Sequence, residues 1–295
     1  MSGLKLTPAR SWRAFLLLTL AGVGVMWAAP AGRTVRPSPD YVQFGKPDQA
    51  EGARILQGFR SMGIAGDYFL EFTLRVMPRR GAERKFKGRL WGSRNEAGAI
   101  SRISLLTAPD QERRLLVQNG RSPMVWNWPT GEAKVTPMEV SSLFQPLVPD
   151  TQLAIFDLQM PYLYWEDFVF EGVSKIRGRP AHTFLLYPPA DFAAGYPGLS
   201  AVRVHLDTQF NALVQAELID EKGQPFKSLS VLDLKKIGEQ WMVKSIDLRD
   251  ERSRDKTRFQ VTGAAFNLDL APTVFEPAML AEPVAPPSRI TGIAP

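Results

Sequence analysis

From Tyr68 onward the chain is a succession of short segments in which apolar and polar residues alternate. In "YFLEFTLRVM" Leu70, Phe72, Leu74 and Val76 alternate with Glu71, Thr73 and Arg75, the period of a strand with one dry face. "ERKFKGRLW" sets Lys85, Lys87 and Arg89 against Phe86 and Leu90 in the same way. "ISRISLLT", "RRLLVQ", "MVWNW", "DFVFEGV", "AHTFLLYP" and "AVRVHLD" continue the series, and "ALVQAELID", "FKSLSVLDLKKI", "QWMVKSIDLRD" and "TRFQVTGAAF" complete it. Turn signals at Asn119, Glu221 and Gly238 separate several of these segments. About a dozen strands joined by short turns form an antiparallel meander. Strand twist accumulates, so a sheet of that size curls into a barrel or half-barrel. No internal repeat and no second composition regime breaks the pattern, which indicates one main domain.

Two stretches read as helix. Asp48 and Glu51 form a D-x-x-E capping pattern, and Ile55, Leu56, Phe59 and Met62 share one face before "GIAG" stops the helix. "DTQLAIFDLQM" predicts a shorter helix capped by Asp150 or Thr151, with Leu153, Phe156 and Met160 at helical spacing. A short apolar helix interrupting a meander suggests a lid over the mouth of the sheet.

The first 31 residues read as a cleaved signal peptide, with an uncleaved N-terminal anchor as the alternative. Lys5, Arg10 and Arg13 precede an apolar run from Ala14 to Trp27, and Ala29-Pro30-Ala31 offers small residues before a cut. The run is short of the roughly 20 residues that span a bilayer. Loss of the three cations takes the net charge from +6 to about +3, so the basic balance does not point to nucleic acid. There is no Cys, hence neither a disulfide nor a lipobox. The expected organisation is a signal peptide at 1–31, an extended linker at 32–47, the sheet domain at 48–282 and a flexible tail at 283–295.

Catalytic motifs are not evident. The sequence has no G-x-S-x-G elbow, no G-x-G-x-x-G and no Walker-type loop. His205 and Asp207 form an H-x-D pair on one strand face, a weak metal or base signal that an ordinary strand histidine explains as well. Glu166 and Asp167 are neighbours, so in a strand they point to opposite faces and cannot share a proton. A glycosidase pair would need a further acid across the fold. "RDERSRDKTR" mixes both charge signs and reads as a solvated hairpin end. These readings predict a non-enzyme with no cofactor and no metal site.

Apolar surface remains. "MPYLYWEDFVFEG" packs Tyr162, Tyr164, Trp165, Phe168 and Phe170 among Glu166, Asp167 and Glu171. Trp126 and Trp128 share a strand face, as do Phe168 and Phe170, and each ring brings on the order of 150–250 Å² of area. Core packing accounts for any single pair. A curved sheet with few covering helices is hard to fill, however, and an unfilled apolar concavity is a ligand site. The expected cavity lining is Phe72, Leu74, Trp126 and Trp128 from strands, Phe156 and Met160 from the lid, and Phe168 and Phe170 beyond it. The acids of the aromatic segment are expected to face water.

The order of motifs resembles the outer-membrane lipoprotein-sorting proteins with a LolA-like fold. "MVWNWP", "FDLQMPYLYWEDFVFEG", "RGRPAHTFLLYPP", "VRVHLDTQFNALVQAELIDEKGQPFKSLSV", "WMVKSIDLRD" and "DKTRFQV" carry the likeness over roughly residues 50–280, with the strongest block from Asp157 to Gly223. The resemblance implies a mainly β chain with a helical lid (α+β), an open antiparallel half-barrel of about eleven strands. It further implies a periplasmic, monomeric carrier sheltering lipid or lipoprotein acyl chains, with envelope membrane proteins as further candidate partners. A regulatory sensor of the same fold that binds a protein partner is the alternative, and a secreted hydrolase the more distant one.

Overall fold

The computed structural model describes residues 45–129 and 134–294. All of the described residues lie in one compact unit. The signal peptide and most of the linker expected from sequence lie outside the described residues.

Helix α1 (Gln49–Ser61) opens the described chain. The Asp48 side chain caps it by accepting from Ala50 N at 2.9 Å. Leu56 is wholly buried, whereas Met62 ends the helix as its C-cap and is 49% exposed, so the predicted apolar face stops one turn early.

Six strands follow: β1 (Asp67–Met77), β2 (Arg84–Asn95), β3 (Gly98–Ala108), β4 (Gln111–Gln118), β5 (Met124–Pro129) and β6 (Thr136–Pro137). A crossover holds α2 (Val140–Leu143), α3 (Ile155–Gln159) and a 3-10 turn at Pro161–Tyr164. Strands β7 (Phe168–Ile176) and β8 (Arg179–Leu186) precede α4 (Ala190–Gly195). The second run ends with β9 (Ala201–Asp207), β10 (Leu213–Ile219), β11 (Pro225–Ile237), β12 (Gln240–Asp250) and β13 (Lys256–Leu268). A last strand, β14, is only Thr291–Gly292.

These strands form one antiparallel sheet in the order β6-β5-β4-β3-β2-β1-β13-β12-β11-β10-β9-β8-β7, with β14 added to β13. The sheet has fourteen strands against the about eleven expected, and two of them, β6 and β14, are only two residues long. The order describes two meanders joined where β1 pairs with β13. Its two edges, β6 and β7, are consecutive in sequence. The chain between them must therefore travel from one edge of the sheet to the other, and the crossover with α2 and α3 makes that journey.

The alternation of β1 reads directly in its burial. Leu70, Phe72, Leu74 and Val76 are buried toward the inner face. Phe72 lies over Gly88 of β2, where a Cβ would fall 2.2 Å from the ring tip, so only glycine admits this ring. The outer face is dry too in places. Residues 269–282 lie against β3 and β4, where Leu280 packs with Ile100 and Leu116. The segment expected as a flexible tail carries β14 and the buried Ile293, whose N–H donates to Thr262 O at 2.9 Å.

Candidate functional site

The inner face and the crossover enclose one large apolar cluster. Leu74 from β1, Phe184 from β8, Leu206 from β9 and Val261 from β13 are each fully buried in it. Helix α1 adds Leu56, and α3 adds Ile155 and Phe156, again with no exposure. The concavity that the sequence suggested would stand unfilled is thus filled in this state, by rings of the lid and by α1. Six of the expected lining residues lie in or against this cluster: Phe72, Leu74, Phe156 and Phe170 as buried members, Met160 and Phe168 as half-buried ones.

Trp126 and Trp128 lie elsewhere. They share a face of β5, as expected, but that face packs against Ile100, Leu116 and Leu280 beneath residues 269–282. The Arg114 guanidinium sits 4.6 Å from the Trp128 ring centroid. The inward position on β5 belongs to Val125, which is 1% exposed.

Aromatic stacking builds the lid. Phe144 lies flat on Tyr196 at 3.6 Å between centroids and on Phe156 at 4.5 Å. Phe192 of α4 meets Trp165 edge-on at 5.2 Å. The predicted helix of the crossover starts later than expected, at Ile155. Thr151 hydroxyl bonds instead to Val148 O at 2.7 Å, which holds a turn rather than a helix start.

A buried ion pair ties the lid to the sheet. Asp157 of α3 is 2% exposed, accepts from Ala154 N at 2.7 Å and pairs with Lys227 of β11. Lys227 stands two positions before Leu229, an inner-face residue of the main cluster, so it reaches the lid from inside the half-barrel. Tyr162 beside it is buried, and burial together with the Asp157 charge raises its phenol pKa. Sequence reasoning missed this pair, since nothing marks two residues seventy positions apart as partners. At the entrance, Arg84 of β2 donates to Asp150 Oδ2 at 2.8 Å, and Gln152 N donates to Thr257 Oγ1 at 2.8 Å.

The aromatic segment divides differently from expectation. Glu166 is exposed, but Glu171 accepts from Arg203 Nε at 2.9 Å and its side chain is only 10% exposed. The H-x-D pair does not act together. His205 is 1% exposed, shares a hydrogen bond with Thr183 Oγ1 at 3.1 Å, and burial with the Arg203 charge lowers its pKa to about 3. Asp207 instead accepts from the N–H groups of Gln209 and Phe210, closing the β9–β10 turn. Among the described residues no group of three His, Asp or Glu side chains is arranged to hold a metal. None of the described helices is long and apolar enough to cross a membrane.

Comparison with known proteins agrees with this architecture. A family model described as an uncharacterized protein matches residues 106–282, more than half of the chain. No curated protein matches the sequence. An outer membrane lipoprotein-sorting protein domain from Vibrio parahaemolyticus has a similar structure, with 15% identity, a TM-score of 0.67, and coverage of 79% of this chain and 97% of that one. A DUF1329 family protein from Desulfovibrio piger gives 16% identity and a TM-score of 0.67 over 78% and 98% of the two chains. A LolA superfamily protein from Nitrosomonas europaea gives 15% identity and a TM-score of 0.56 over 76% and 96%.

Proposed function

The chain belongs to the uncharacterized protein family whose model spans residues 106–282 and has the LolA-like fold of lipoprotein-sorting proteins, and from that premise we propose that it is a periplasmic carrier of acyl chains. The observation that carries the reading is the lid. A thirty-residue crossover with buried rings is laid across a continuous apolar face, yet its tie to the sheet is side-chain chemistry. Its α3 holds Lys227 through one carboxylate, and its aromatic rings stack chiefly on one another. Such a cover can lift as a unit and leave an apolar trough. Each CH₂ buried there contributes about 0.8 kcal/mol, so a chain of a dozen carbons supplies on the order of 10 kcal/mol to offset the lifting. The carrier needs no covalent step: shelter from water is its whole chemistry. Phe72, Leu74, Phe156, Met160, Phe168 and Phe170 are the residues proposed to meet the chains. Trp126 and Trp128, under residues 269–282, serve the outer face. A lipid or a lipoprotein acyl chain is the proposed cargo, and the protein is proposed to act as a monomer after its signal peptide is removed.

Titration with cis-parinaric acid, which fluoresces when its chain enters an apolar site, tests this. Saturable binding near one chain per protein is expected. A flat signal with protein shown to be folded overturns the carrier reading.

A further inference from the structure

The end of the half-barrel where the lid loop meets the sheet carries a recess of about 830 Å³. Three loops frame it: the β1–β2 turn with Pro78, Arg79 and Arg80, the lid loop with Asp150 and Gln152, and the β12–β13 turn with Ser253 and Asp255. Arg84, the first residue of β2, completes it. We propose that this recess is the headgroup site for an anionic amphiphile, a lipid bearing a phosphate monoester or diester, whose chain then runs under the lid; the proposal rests on the carrier reading above.

Charge is the first argument. The recess holds three guanidinium groups against two carboxylates. Asp255 is already committed, accepting from Arg79 N at 2.8 Å. The side chains of Arg79 and Arg80 have no carboxylate within ion-pair distance among the described residues. Guanidinium groups present paired donors that match phosphate oxygens.

Position is the second. Arg84 lies opposite Val76, and two residues along the same strand face comes Phe86, opposite Leu74. Val76 is 2% exposed, Leu74 is fully buried and Phe86 packs against the main cluster. Arg84 also sits 5.8 Å from the Phe86 ring centroid. A phosphate held by Arg84 would place the first carbons of its chain directly on the inner face, beside residues that continue into the trough.

The third argument is what now occupies Arg84. Asp150 supplies a carboxylate at 2.8 Å from an exposed lid-loop position, with its backbone in the left-handed region at φ 64°. Both partners are solvent-exposed, so the pair is weak and an incoming phosphate can take its place. Displacing Asp150 would free one of the lid loop's anchors, leaving Gln152 N on Thr257 as the neighbouring one. Headgroup capture and lid release would thus be a single event.

The test is displacement of cis-parinaric acid by three soluble competitors: dihexanoyl phosphatidylglycerol, dihexanoyl phosphatidylcholine and neutral monolauroylglycerol. The expected result is a preference of about ten-fold for the anionic lipid over the zwitterionic one, abolished in Arg79→Glu/Arg80→Glu. The same variant should bind monolauroylglycerol as the parent does. Asp150→Asn should strengthen binding of the anionic lipid by freeing Arg84. A preference that survives the double charge reversal, or no preference with normal monolauroylglycerol binding, overturns the headgroup site and leaves the carrier reading standing. Inorganic phosphate that blocks the anionic lipid at equal concentration would assign the recess to a free anion and also overturn it. Failure of all three competitors and of parinaric acid itself would remove the carrier reading, and the headgroup site with it.

Discussion

The two faces of the sheet are covered by different means. On the inner face the cover is the crossover, which stacks ring on ring, reaches β11 through the Asp157–Lys227 pair and is also held at main-chain oxygens, Leu147 O by Arg113 and Leu163 O and Trp165 O by Arg60. On the outer face the cover is the C-terminal segment, and it is bound through its main chain. Arg102 of β3, only 1% exposed, donates to Val274 O and Met279 O through Nη1 and to Leu280 O and Glu282 O through Nη2. Arg114 adds a bond to Ala281 O. Burial and the neighbouring Arg114 charge bring the Arg102 guanidinium down to about 10, which still leaves it charged at neutral pH. Arg102 meets its four acceptors only with the segment in place, so lifting the segment loses all four bonds at once. The outer segment concentrates five such bonds between Val274 and Glu282, whereas those of the crossover are spread from Leu147 to Trp165, and the proposed carrier reading accordingly assigns permanence to the outer cover and movement to the inner one.

The largest effect should come from breaking the permanent side. Arg102→Met removes the donor shared by Val274 O, Met279 O, Leu280 O and Glu282 O, of which Leu280 belongs to a buried residue, and should cost roughly 3–5 kcal/mol. Urea unfolding would show a lower midpoint at an unchanged slope. Next is Phe156→Ala in the lid, expected to cost about 3 kcal/mol by cavity formation. If the lid covers a chain-binding trough, parinaric acid should restore part of that loss, and no such rescue should occur for Arg102→Met. Lys227→Met should cost about 1–3 kcal/mol by leaving the Asp157 carboxylate buried with one fewer partner. It should also speed parinaric acid uptake in stopped-flow mixing. Unchanged uptake would mean that the pair does not restrain the lid.

The effect that is smallest at neutral pH is that of His205, and it grows on acidification. The folded His205 has its pKa depressed to about 3, below the ordinary 6.5, so the unfolded chain binds the extra proton between those values. Stability from this group is complete above pH 6.5 and falls as pH drops toward 3, by at most about 1.4 kcal/mol per pH unit. His205→Gln should flatten that part of a stability–pH profile measured by urea unfolding.

Local signals were legible in the sequence, and distant ones were not. The Asp48 cap and the β1 alternation depend on neighbours in the chain, and both appear as read. Period-two alternation told that Trp126 and Trp128 share a face, but not which face of β5 turns inward, because that is set by residues 269–282 covering the outer face. The role of Arg102 in "ISRISLLT" was not legible, because its partners lie about 170 residues later. Of the site, the inner aromatics were visible. The tie that holds the lid and the degree to which the trough is filled depend on packing between segments far apart, which no local pattern encodes.

Native mass spectrometry of the purified protein tests the central claim most directly. The account predicts a bound mass in near-unit ratio, released as a phospholipid or acylated peptide on denaturation. A clean protein mass that stays unchanged after incubation with fatty acid would mean that the inner cluster is an ordinary core and the lid a fixed part of it.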